Sequence, residues 1–579
     1  MPKFSCPTCE AEYDWTPELA GHKVRCANCG HKFVVGDAAE SRPRQAHESG
    51  PVSDAASAPA PLPSARRRRP VPVGVLLGGL VAVAALAGAW WWFAGQPGQP
   101  KASQAPANHR RAAQPSANAK QDTAASPGKA IVIEDGAVVL EETVPPQDRE
   151  TPPLYSGRDI SGIESIVKSV ENSSDPWRVE AEARIEKFRK ADLELQIVDG
   201  QGHPVKDAEV RVVLRRHKFR FGGVVGVAGM FYQGKGRNAR ERKRVEDRMA
   251  TANLRRTIFR YMGFNAAGFD NALKYKLRRG REPLLPAAFQ WFRAHKIEVR
   301  GHCLIWPGTK HLPDELAKLV HAGDKEAVRR GSEKMIAEWA SKWDVIEWDV
   351  INETRGNHAI QDMLGREVMA DWFKIARKNA VNPNCRFDLN ENSVISDRKS
   401  GAVTDHMKKY RAELEFLVEH GAPVDSIGFQ SRFHRMAEAT EIYQRLCWFE
   451  DFNLPITATE FETKESVGSE LDRAVMTERV MSVYFSHRLV DGIFAWSLFP
   501  PADGREILDA DGRPNLRGKV WLYLMKNRWT TDESLRTGAT GNVTLRAFKG
   551  EYDISVSRNG RTKHFRTRLD APLSAKIVW

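Results

Sequence analysis

The chain has 579 residues, too many for a single hydrophobic core, so two or more domains are expected. Its formal net charge is +13, but the basic residues are not gathered in a nucleic-acid-reading motif, and no nucleic-acid partner is expected. Four of the seven cysteines lie within the first thirty residues. The other three, Cys303, Cys385 and Cys447, are far apart, which argues against a disulfide framework and favours small buried apolar side chains.

The first 36 residues contain two CxxC motifs, "CPTC" and "CANC". Such a pair is typical of a zinc site in which four thiolates surround one structural Zn²⁺ and leave no open position for catalysis. The predicted ligands are Cys6, Cys9, Cys26 and Cys29, with His22 and His31 as possible substitutes. The segment resembles the short zinc ribbons that begin many bacterial proteins. That resemblance implies a reducing cytoplasmic location, where the ribbon could contact a protein partner.

A Pro/Ala/Ser-rich linker with a basic cluster, residues 37–70, leads to an uncharged apolar run over residues 71–94. The run is long enough to cross a bilayer as one helix, and Trp90–Trp92 at its far end fit an interfacial aromatic belt. A buried soluble helix is the alternative, and a cleaved signal peptide is disfavoured by the long segment before it. Arg66–Arg69 predict a cytoplasmic amino terminus. We therefore expect a single-pass protein of the bacterial cytoplasmic membrane, with its large domain outside, periplasmic or extracellular.

Residues 95–150 are rich in Pro, Ala and Gln and predict a disordered linker. From residue 176 the pattern predicts a helix, then a β-hairpin turning at Asp199–Gly200, then alternating strands and helices. Repeated β/α units of this total length favour a (β/α)8 TIM barrel over residues 176–530. An open doubly wound sheet is the alternative, although no Gly-rich phosphate loop follows a strand. Residues 531–579 alternate, turn at Asn559–Gly560 and predict a small β-module.

The predicted barrel strands end in polar and aromatic residues that suit sugar recognition. In a (β/α)8 barrel these carboxyl ends meet at one face and form the active site. Two carboxylates end apolar strands, Glu353 and Glu460, and such a pair is what cleavage of a glycosidic bond requires. We expect no cofactor for catalysis. The surrounding residues are Asn271, Lys274, His302, Trp306, Asn352, Gln430 and Trp496.

Four segments in this order, "RGHCLIW", "WDVINE", "IGFQ" and "ITATEFE", resemble the signature strands of family-10 glycoside hydrolases, the endo-β-1,4-xylanases. Residues 176–579 as a whole are similar to plant-type members. The resemblance implies a retaining endo-glycanase with Glu353 as acid/base and Glu460 as nucleophile, about 5–5.5 Å apart. It also implies that the seven surrounding residues listed above bind the sugar beside the scissile bond, and that the substrate is a β-1,4-linked polysaccharide, with xylan expected.

The chain departs from the family pattern beside the nucleophile. The family has Gln-x-His after this strand, whereas here Arg432 takes the place of the histidine and His434 follows two residues later. An arginine next to Glu460 favours the charged form of that carboxylate. The loop after Trp496 lacks the family's second tryptophan. Two alternatives to an active enzyme therefore stay open: a non-catalytic barrel that binds glycan, and a sensor whose zinc ribbon contacts a cytoplasmic partner.

Overall fold

The computed structural model describes residues 3–5, 12–14, 23–25, 32–34, 131–132, 137–145, 151–499 and 504–579. The predicted linker 37–70 and the predicted membrane span 71–94 lie outside this part of the chain, as do all four predicted zinc ligands. Within the described part, none of the helices combines the length and the apolar composition that a membrane span requires.

The amino-terminal segment contains two antiparallel strand pairs. Strand β1 (Lys3–Ser5) pairs with β2 (Glu12–Asp14), and β3 (Lys23–Arg25) pairs with β4 (Lys32–Val34). Residues 6–11 and 26–31, which connect the strands of each pair, contain the two CxxC motifs. Each motif thus follows directly after the first strand of a hairpin.

Three short strands precede the first long helices. They are β5 (Ile131–Val132), β6 (Val138–Leu140) and β7 (Glu142–Thr143). The disordered linker predicted over residues 95–150 is therefore wrong over its last part, where the β-branched run "AVVLEET" pairs with strands of the carboxy-terminal module. Helices α1 (Glu164–Asn172) and α2 (Pro176–Arg189) lead into β8 (Lys190–Val198) and β9 (Glu209–His217).

Eight parallel strands form a closed barrel, which confirms the predicted (β/α)8 fold. Strand β18 pairs with β10 and β15 pairs with β17, so the sheet has no free edge. The two-residue strand β16 pairs with the end of β17. In chain order the eight barrel strands, with β16 between the sixth and the seventh, are β10 (Arg220–Val225), β11 (Ala266–Phe269), β12 (Glu298–Ile305), β13 (Glu347–Asn352), β14 (Arg386–Glu391), β15 (Ser426–Phe429), β16 (Arg432–Phe433), β17 (Ile456–Thr463) and β18 (Val490–Ala495).

The strands alternate with helices, and several of the longer helices begin with a side-chain cap. Asn238, Asp324 and Thr404 each accept a hydrogen bond from a first-turn backbone N–H, and Ser469 forms a reciprocal capping box with Asp472. The helices are α3 (Val227–Met230), α4 (Ala239–Met262), α5 (Leu285–Ala294), α6 (Asp314–Ala322), α7 (Lys325–Ala340), α8 (Ala359–Leu364), α9 (Val368–Asn379), α10 (Asp405–Glu419), α11 (Ala439–Cys447), α12 (Glu470–Ser486) and α13 (Leu516–Tyr523).

The amino-terminal end of the barrel is filled by a buried ion network. Glu347, fully buried at the start of β13, accepts from Arg300 at 2.9 Å and from Arg220 at 3.2 Å. Arg300 also pairs with Asp388 at 2.8 Å. This network occupies the end of the barrel opposite the carboxyl ends of the strands, where the predicted site residues lie.

The remaining strands build a two-sheet β-sandwich. They are β19 (Asp532–Arg536), β20 (Asn542–Phe548), β21 (Gly550–Arg558), β22 (Arg561–Leu569) and β23 (Leu573–Val578). One sheet has the order β19-β9-β21-β22-β7 and the other β20-β8-β23-β6-β5. Strands β21 and β22 form the hairpin predicted at Asn559–Gly560, where both residues have positive φ.

The predicted hairpin of β8 and β9 is wrong. Both strands exist and the chain turns at Asp199–Gly200, but the strands then enter opposite sheets of the sandwich. The physical reason is that each strand has one apolar face, and the faces carrying Leu195 and Val212 pack into a common core between the sheets. The predicted boundary at 530/531 consequently separates strands that share one core.

Candidate active site

The structure places the nine predicted catalytic and sugar-binding residues at or near the carboxyl ends of the barrel strands. Asn352 is the last residue of β13 and Glu353 follows it, while Glu460 lies within β17. The others lie on or just after four further strands: Asn271 and Lys274 after β11, His302 and Trp306 on and after β12, Gln430 after β15, and Trp496 after β18. Contacts among most of them, described below, join these ends into one site.

Glu353 is held by its backbone and by two amides. Its φ of 58° lies in the left-handed region, and its N–H donates to the carbonyl oxygen of Asn390 at 2.8 Å. Gln430 Nε2 donates to Oε1 at 2.7 Å, and Asn357 Nδ2 donates to Oε2 at 3.3 Å. Burial raises the pKa of Glu353, and the nearby charge of Glu460 adds to that rise, while the hydrogen bond from Gln430 opposes it.

Glu460 is almost fully buried and faces Arg432. Arg432 Nε donates to Oε2 at 3.1 Å, and a second guanidinium nitrogen contacts the same oxygen. His302 Nε2 lies 3.8 Å from Oε1. Burial alone would raise the pKa of Glu460, but the charge and hydrogen bonds of Arg432, with smaller contributions from His302 and Lys274, lower it to about 2. The predicted placement of Arg432 beside Glu460 is thus confirmed.

Asn390, the residue before the end of β14, connects the strands of the two carboxylates. Its Nδ2 lies 3.1 Å from Asn352 Oδ1, 3.3 Å from Glu460 Oε1 and 3.0 Å from Asp349 Oδ2. Thr459 donates its hydroxyl to Asn390 Oδ1 at 2.8 Å, which fixes the orientation of the amide. A fully buried amide with this many partners holds the two catalytic candidates in a defined relation.

His302 forms a buried pair with Asp349, a residue that the sequence analysis did not single out. His302 Nδ1 lies 2.7 Å from Asp349 Oδ2. Burial and the charge of Lys274 lower the pKa of His302 to about 3, so its ring is neutral at ordinary pH, and burial raises the pKa of Asp349. The alternation of acidic residues in "EWDVIN", with Glu347 and Asp349 two positions apart in an apolar strand, was the signal that both face the barrel interior.

Aromatic rings form the walls of the site. Trp306 stacks on His311 with ring centroids 3.5 Å apart, and Lys274 Nζ lies 5.1 Å from the Trp306 ring. The guanidinium of Arg432 lies 4.8 Å from the Trp496 ring. Lys274 also donates to Asn271 Oδ1 at 3.2 Å. Flat rings beside amide and ammonium donors are suited to a sugar, which has apolar faces and polar edges.

A further buried carboxylate, Glu391, lies at the end of β14. It accepts backbone N–H bonds from Arg355 at 3.1 Å and Asn392 at 2.9 Å, and burial raises its pKa to about 7. His406 Nε2 lies 4.0 Å away. Since Glu391 binds the backbone just after Glu353, it positions the loop that carries the candidate acid.

Two groups of described residues bring metal-ligand atoms together. His302, Cys303 and Asp349 form one, but His302 is already paired with Asp349, and burial raises the pKa of the Cys303 thiol well above its usual range. Cys447, Glu450 and His487 form the other, where Glu450 is paired with Arg488 at 3.2 Å. In both groups, side chains that could bind a metal are already paired with other side chains of the same chain through a hydrogen bond or an ion pair. Cys303 and Cys385 are buried as predicted, whereas Cys447 is partly exposed.

The chain is similar over part of its length to known proteins. Residues 256–501, which run from α4 to just beyond β18, match the family model described as glycosyl hydrolase family 10. The chain is 25% identical over 397 residues to the anti-sigma-I factor RsgI6 of Acetivibrio thermocellus, covering 67% of this chain and 48% of that protein. It is 26% identical over 326 residues to endo-1,4-beta-xylanase 1 of Arabidopsis thaliana, covering 54% and 33%.

The chain therefore spans about half the length of the first of these relatives and a third of the second. A solved structure, native xylanase 10B from Thermotoga maritima, aligns with a TM-score of 0.43 and 18% identity over 54% of this chain and 96% of that chain. The residues matched by the family model contain Glu353, Glu460 and their partners, so the part of the chain that forms this site is similar to glycosyl hydrolase family 10.

Proposed function

We propose that the barrel is a retaining endo-glycosidase that cleaves β-1,4-linked polysaccharide, with xylan as its main substrate. The observation that carries the proposal is the opposite perturbation of two carboxylates in one site. The pKa of Glu353 is raised, while that of Glu460 is lowered to about 2. One group is thus kept as an acid and the other as an anion, which is the division of roles that glycosidic cleavage requires.

In the proposed reaction Glu460 attacks the anomeric carbon as Glu353 gives its proton to the glycosidic oxygen. The bond between the anomeric carbon and that oxygen breaks, and a covalent glycosyl–Glu460 ester forms. Water then attacks the same carbon, Glu353 takes a proton from it, and Glu460 leaves as a carboxylate. The sugar is released with its original anomeric configuration, and both residues return to their starting states.

The remaining predicted residues would bind the sugar next to the reacting carbon. Asn352 supports this role, because its Nδ2 is buried and donates to none of the described residues. An unpaired buried donor is costly, and a sugar hydroxyl would satisfy it. Trp496 and Trp306 would provide apolar faces for the ring, and Lys274 with Asn271 would bind hydroxyls from the side.

Full-length protein incubated with xylan, mixed-linkage glucan and cellulose tests the proposal. We expect reducing ends to be released from xylan, and Glu353→Gln and Glu460→Gln to abolish most of that release. A matched control is Glu415→Gln, which changes an exposed carboxylate on α10 that pairs with Arg411. If the wild type releases sugar from none of the three polymers, the enzymatic proposal is wrong.

A second candidate function, non-catalytic glycan binding in a sensor, is favoured by the pairing of Arg432 with Glu460. The guanidinium offsets the negative charge of the proposed nucleophile and occupies one of its oxygens. One of the relatives is named as an anti-sigma-I factor, a regulatory protein. Saturable binding of xylan without release of reducing ends would support this candidate and exclude the first.

For the amino terminus we propose one structural Zn²⁺ held by the four cysteines listed above. The support is that each CxxC motif directly follows the first strand of an antiparallel pair, so the two motifs occupy equivalent positions along the chain. The zinc would hold the short segment folded and would take no part in hydrolysis. About one zinc per chain in the purified full-length protein, lost on changing Cys6 and Cys9 to Ser, is expected. A zinc-free wild type would refute the site.

We also propose that residues 71–94 anchor the protein in the cytoplasmic membrane, with the zinc segment inside, facing any protein partner there, and the barrel outside. The support is the sequence: an uncharged apolar run preceded by four arginines. Protease added to intact cells should remove the barrel and spare the amino-terminal segment. The reverse pattern would show that the orientation is wrong.

A further inference from the structure

We infer that the pocket beside Trp306 is a subsite for an anionic substituent of the sugar chain, a carboxylate or a sulfate ester. This inference rests on the proposed glycan-binding function and adds to it the chemical class of the bound polymer. The pocket has a volume of about 350 Å³, which is large enough for a sugar unit. It is lined partly by Asn271, Lys274 and Trp306, so it is continuous with the proposed site.

The walls of the pocket are apolar, while the charged groups that line it are basic. Leu304, Leu312 and Met335 contribute to the walls, and the stacked rings of Trp306 and His311 form one side. A sugar ring can pack against such a surface through its C–H face. The apolar walls also reduce the screening of any charge placed in the pocket.

Three ammonium groups belong to the lining: Lys274, Lys276 and Lys310. Among the described residues, no carboxylate lines the pocket with them. Lys276 has an acidic neighbour outside the lining, Asp314 at 3.6 Å, whose side chain is 81% exposed. Lys276 Nζ donates to the backbone oxygen of Lys310 at 2.7 Å, which fixes the Lys276 ammonium at the edge of the pocket. Several ammonium groups lining one pocket favour a bound anion, because the anion offsets their charge.

The positive charge of these lysines affects the pKa of their neighbour His311. Burial lowers its pKa, and the charges of Lys310, Lys274 and Lys276 lower it further, to about 4. His311 is therefore neutral at ordinary pH and acts as a stacking partner, not as a fourth cation. A donor is also present: the Nε1–H of Trp306 is buried and donates to none of the described residues. The pocket thus presents both positive charge and an unused hydrogen-bond donor.

The positive charge continues along the same side of the barrel face. Residues 274–281, "KYKLRRGR", follow β11 and hold five basic residues and no acidic one. Residues 235–248, which lie between β10 and the middle of α4, hold seven basic and three acidic residues. Since β10, β11 and β12 are neighbours in the sheet, a single sector of the face carries this charge. A polymer with repeated anionic groups would be attracted to that sector before it reaches Glu460.

Direct binding to the full-length Glu353→Gln protein tests the inference, because this variant binds substrate with little turnover. Three probes are compared by calorimetry: a xylo-oligosaccharide with one glucuronic acid branch, the same compound after carboxyl reduction, and a sulfated xylo-oligosaccharide. We expect an anionic probe to bind about five- to tenfold more tightly than the neutral one, with the difference shrinking as salt rises. Preference for the uronate or for the sulfate identifies which anion the pocket takes.

Lys310→Gln and Lys276→Gln should each remove most of this preference and leave binding of the neutral probe unchanged. Lys399→Gln, an exposed lysine in the loop after β14, is the matched control and should keep the preference. Equal affinity for all three probes, no binding of any of them, or an equal loss for both probe types in Lys310→Gln would overturn the inference. If the wild type cleaves neutral xylan and the protein binds anionic and neutral probes equally, only this inference is wrong. If the protein binds anionic probes selectively but cleaves no polymer, only the enzymatic proposal is wrong.

Discussion

Arg432 and Glu460 form a charged pair across the end of the barrel. Arg432 lies on the two-residue strand β16, where it pairs in register with Glu462 on β17, so its position is set by the sheet. Its guanidinium reaches Glu460 Oε2 and also Glu462 Oε2, the latter at 3.4 Å. The Trp496 ring covers the guanidinium. The nucleophile candidate is therefore anionic over nearly the whole pH range, although it is buried.

Replacing Arg432 with Gln should raise the pKa of Glu460. The guanidinium lowers that pKa from its ordinary value to about 2, and without it the burial that remains acts in the opposite direction. A nucleophile must be deprotonated, so activity falls as pH drops through this pKa. The acidic limb of kcat/KM should move upward from about pH 2, as measured on soluble xylan.

Arg432→Lys keeps a positive charge and should move the acidic limb less than Arg432→Gln. Arg398→Gln, an exposed arginine in the loop after β14, should leave the limb in place. Unchanged acidic limbs in all three variants would show that the pair does not control the ionisation of Glu460.

Glu353→Gln should lower kcat on xylan by about 10²- to 10⁴-fold, because the leaving oxygen is no longer protonated. The loss should be smaller on an aryl xyloside with an acidic phenol as leaving group, which needs little protonation. The wild type should lose activity as pH rises through the raised pKa of Glu353, so its alkaline limb lies above the ordinary Glu range. Equal losses on both substrates would contradict the acid role.

Gln430→Met should move the alkaline limb to higher pH. Gln430 donates to Glu353 at 2.7 Å, and a donor stabilises the charged carboxylate, so its loss raises the pKa further. The acid then stays protonated to higher pH. Gln444→Met, at an exposed position of α11, is the control and should leave the profile unchanged. A downward shift for Gln430→Met would mean that the amide does not act through Glu353.

The main residues of the site were predictable because they lie at the ends of apolar strands, and such strands can be recognised from the sequence alone. Glu353, Glu460 and Arg432 all lie where this reasoning placed them. The Asn390 and Asp349 contacts were not predictable, since they depend on how far each strand is shifted against the next; β13 and β14 have a register irregularity near Asp349. Pairings across a barrel depend on such shifts, and periodicity does not encode them.

Glu347→Gln should destabilise the barrel by about 3–5 kcal/mol, because it leaves buried arginines without their shared carboxylate. Glu347 is fully buried and bonds to Arg300, Arg220 and Arg386. Asp532→Asn breaks the exposed pair with Arg211 at 3.0 Å and should cost less than about 1 kcal/mol. Urea unfolding followed by tryptophan fluorescence measures both. Equal midpoints for the two variants would show that the network contributes no more than a surface ion pair.

The sandwich was predicted least well. The alternation in β8 and β9 identified the strands but not their partners, because an apolar face is satisfied equally by a hairpin neighbour or by a facing sheet. Here the partners lie more than 300 residues away, as in the pairing of Leu195 with Val543. The strand at Val138–Leu140 was missed since its apolar run is only three residues long and is flanked by a polar linker.

Ending the chain after residue 530 should therefore unfold more than the carboxy-terminal module. Strand β8 would lose β20 and β23, and β9 would lose β19 and β21, so Leu193, Leu195 and Val210 would be exposed to water. Buried aliphatic side chains of this kind each contribute about 1.5–3 kcal/mol. We expect residues 190–217 of the shortened protein to become sensitive to protease and the protein to aggregate. Removing residues 1–124 instead, which keeps every strand of the sandwich, should leave that segment protected; protection of 190–217 in the chain that ends at 530 would show that β8 and β9 fold independently of the carboxy-terminal strands.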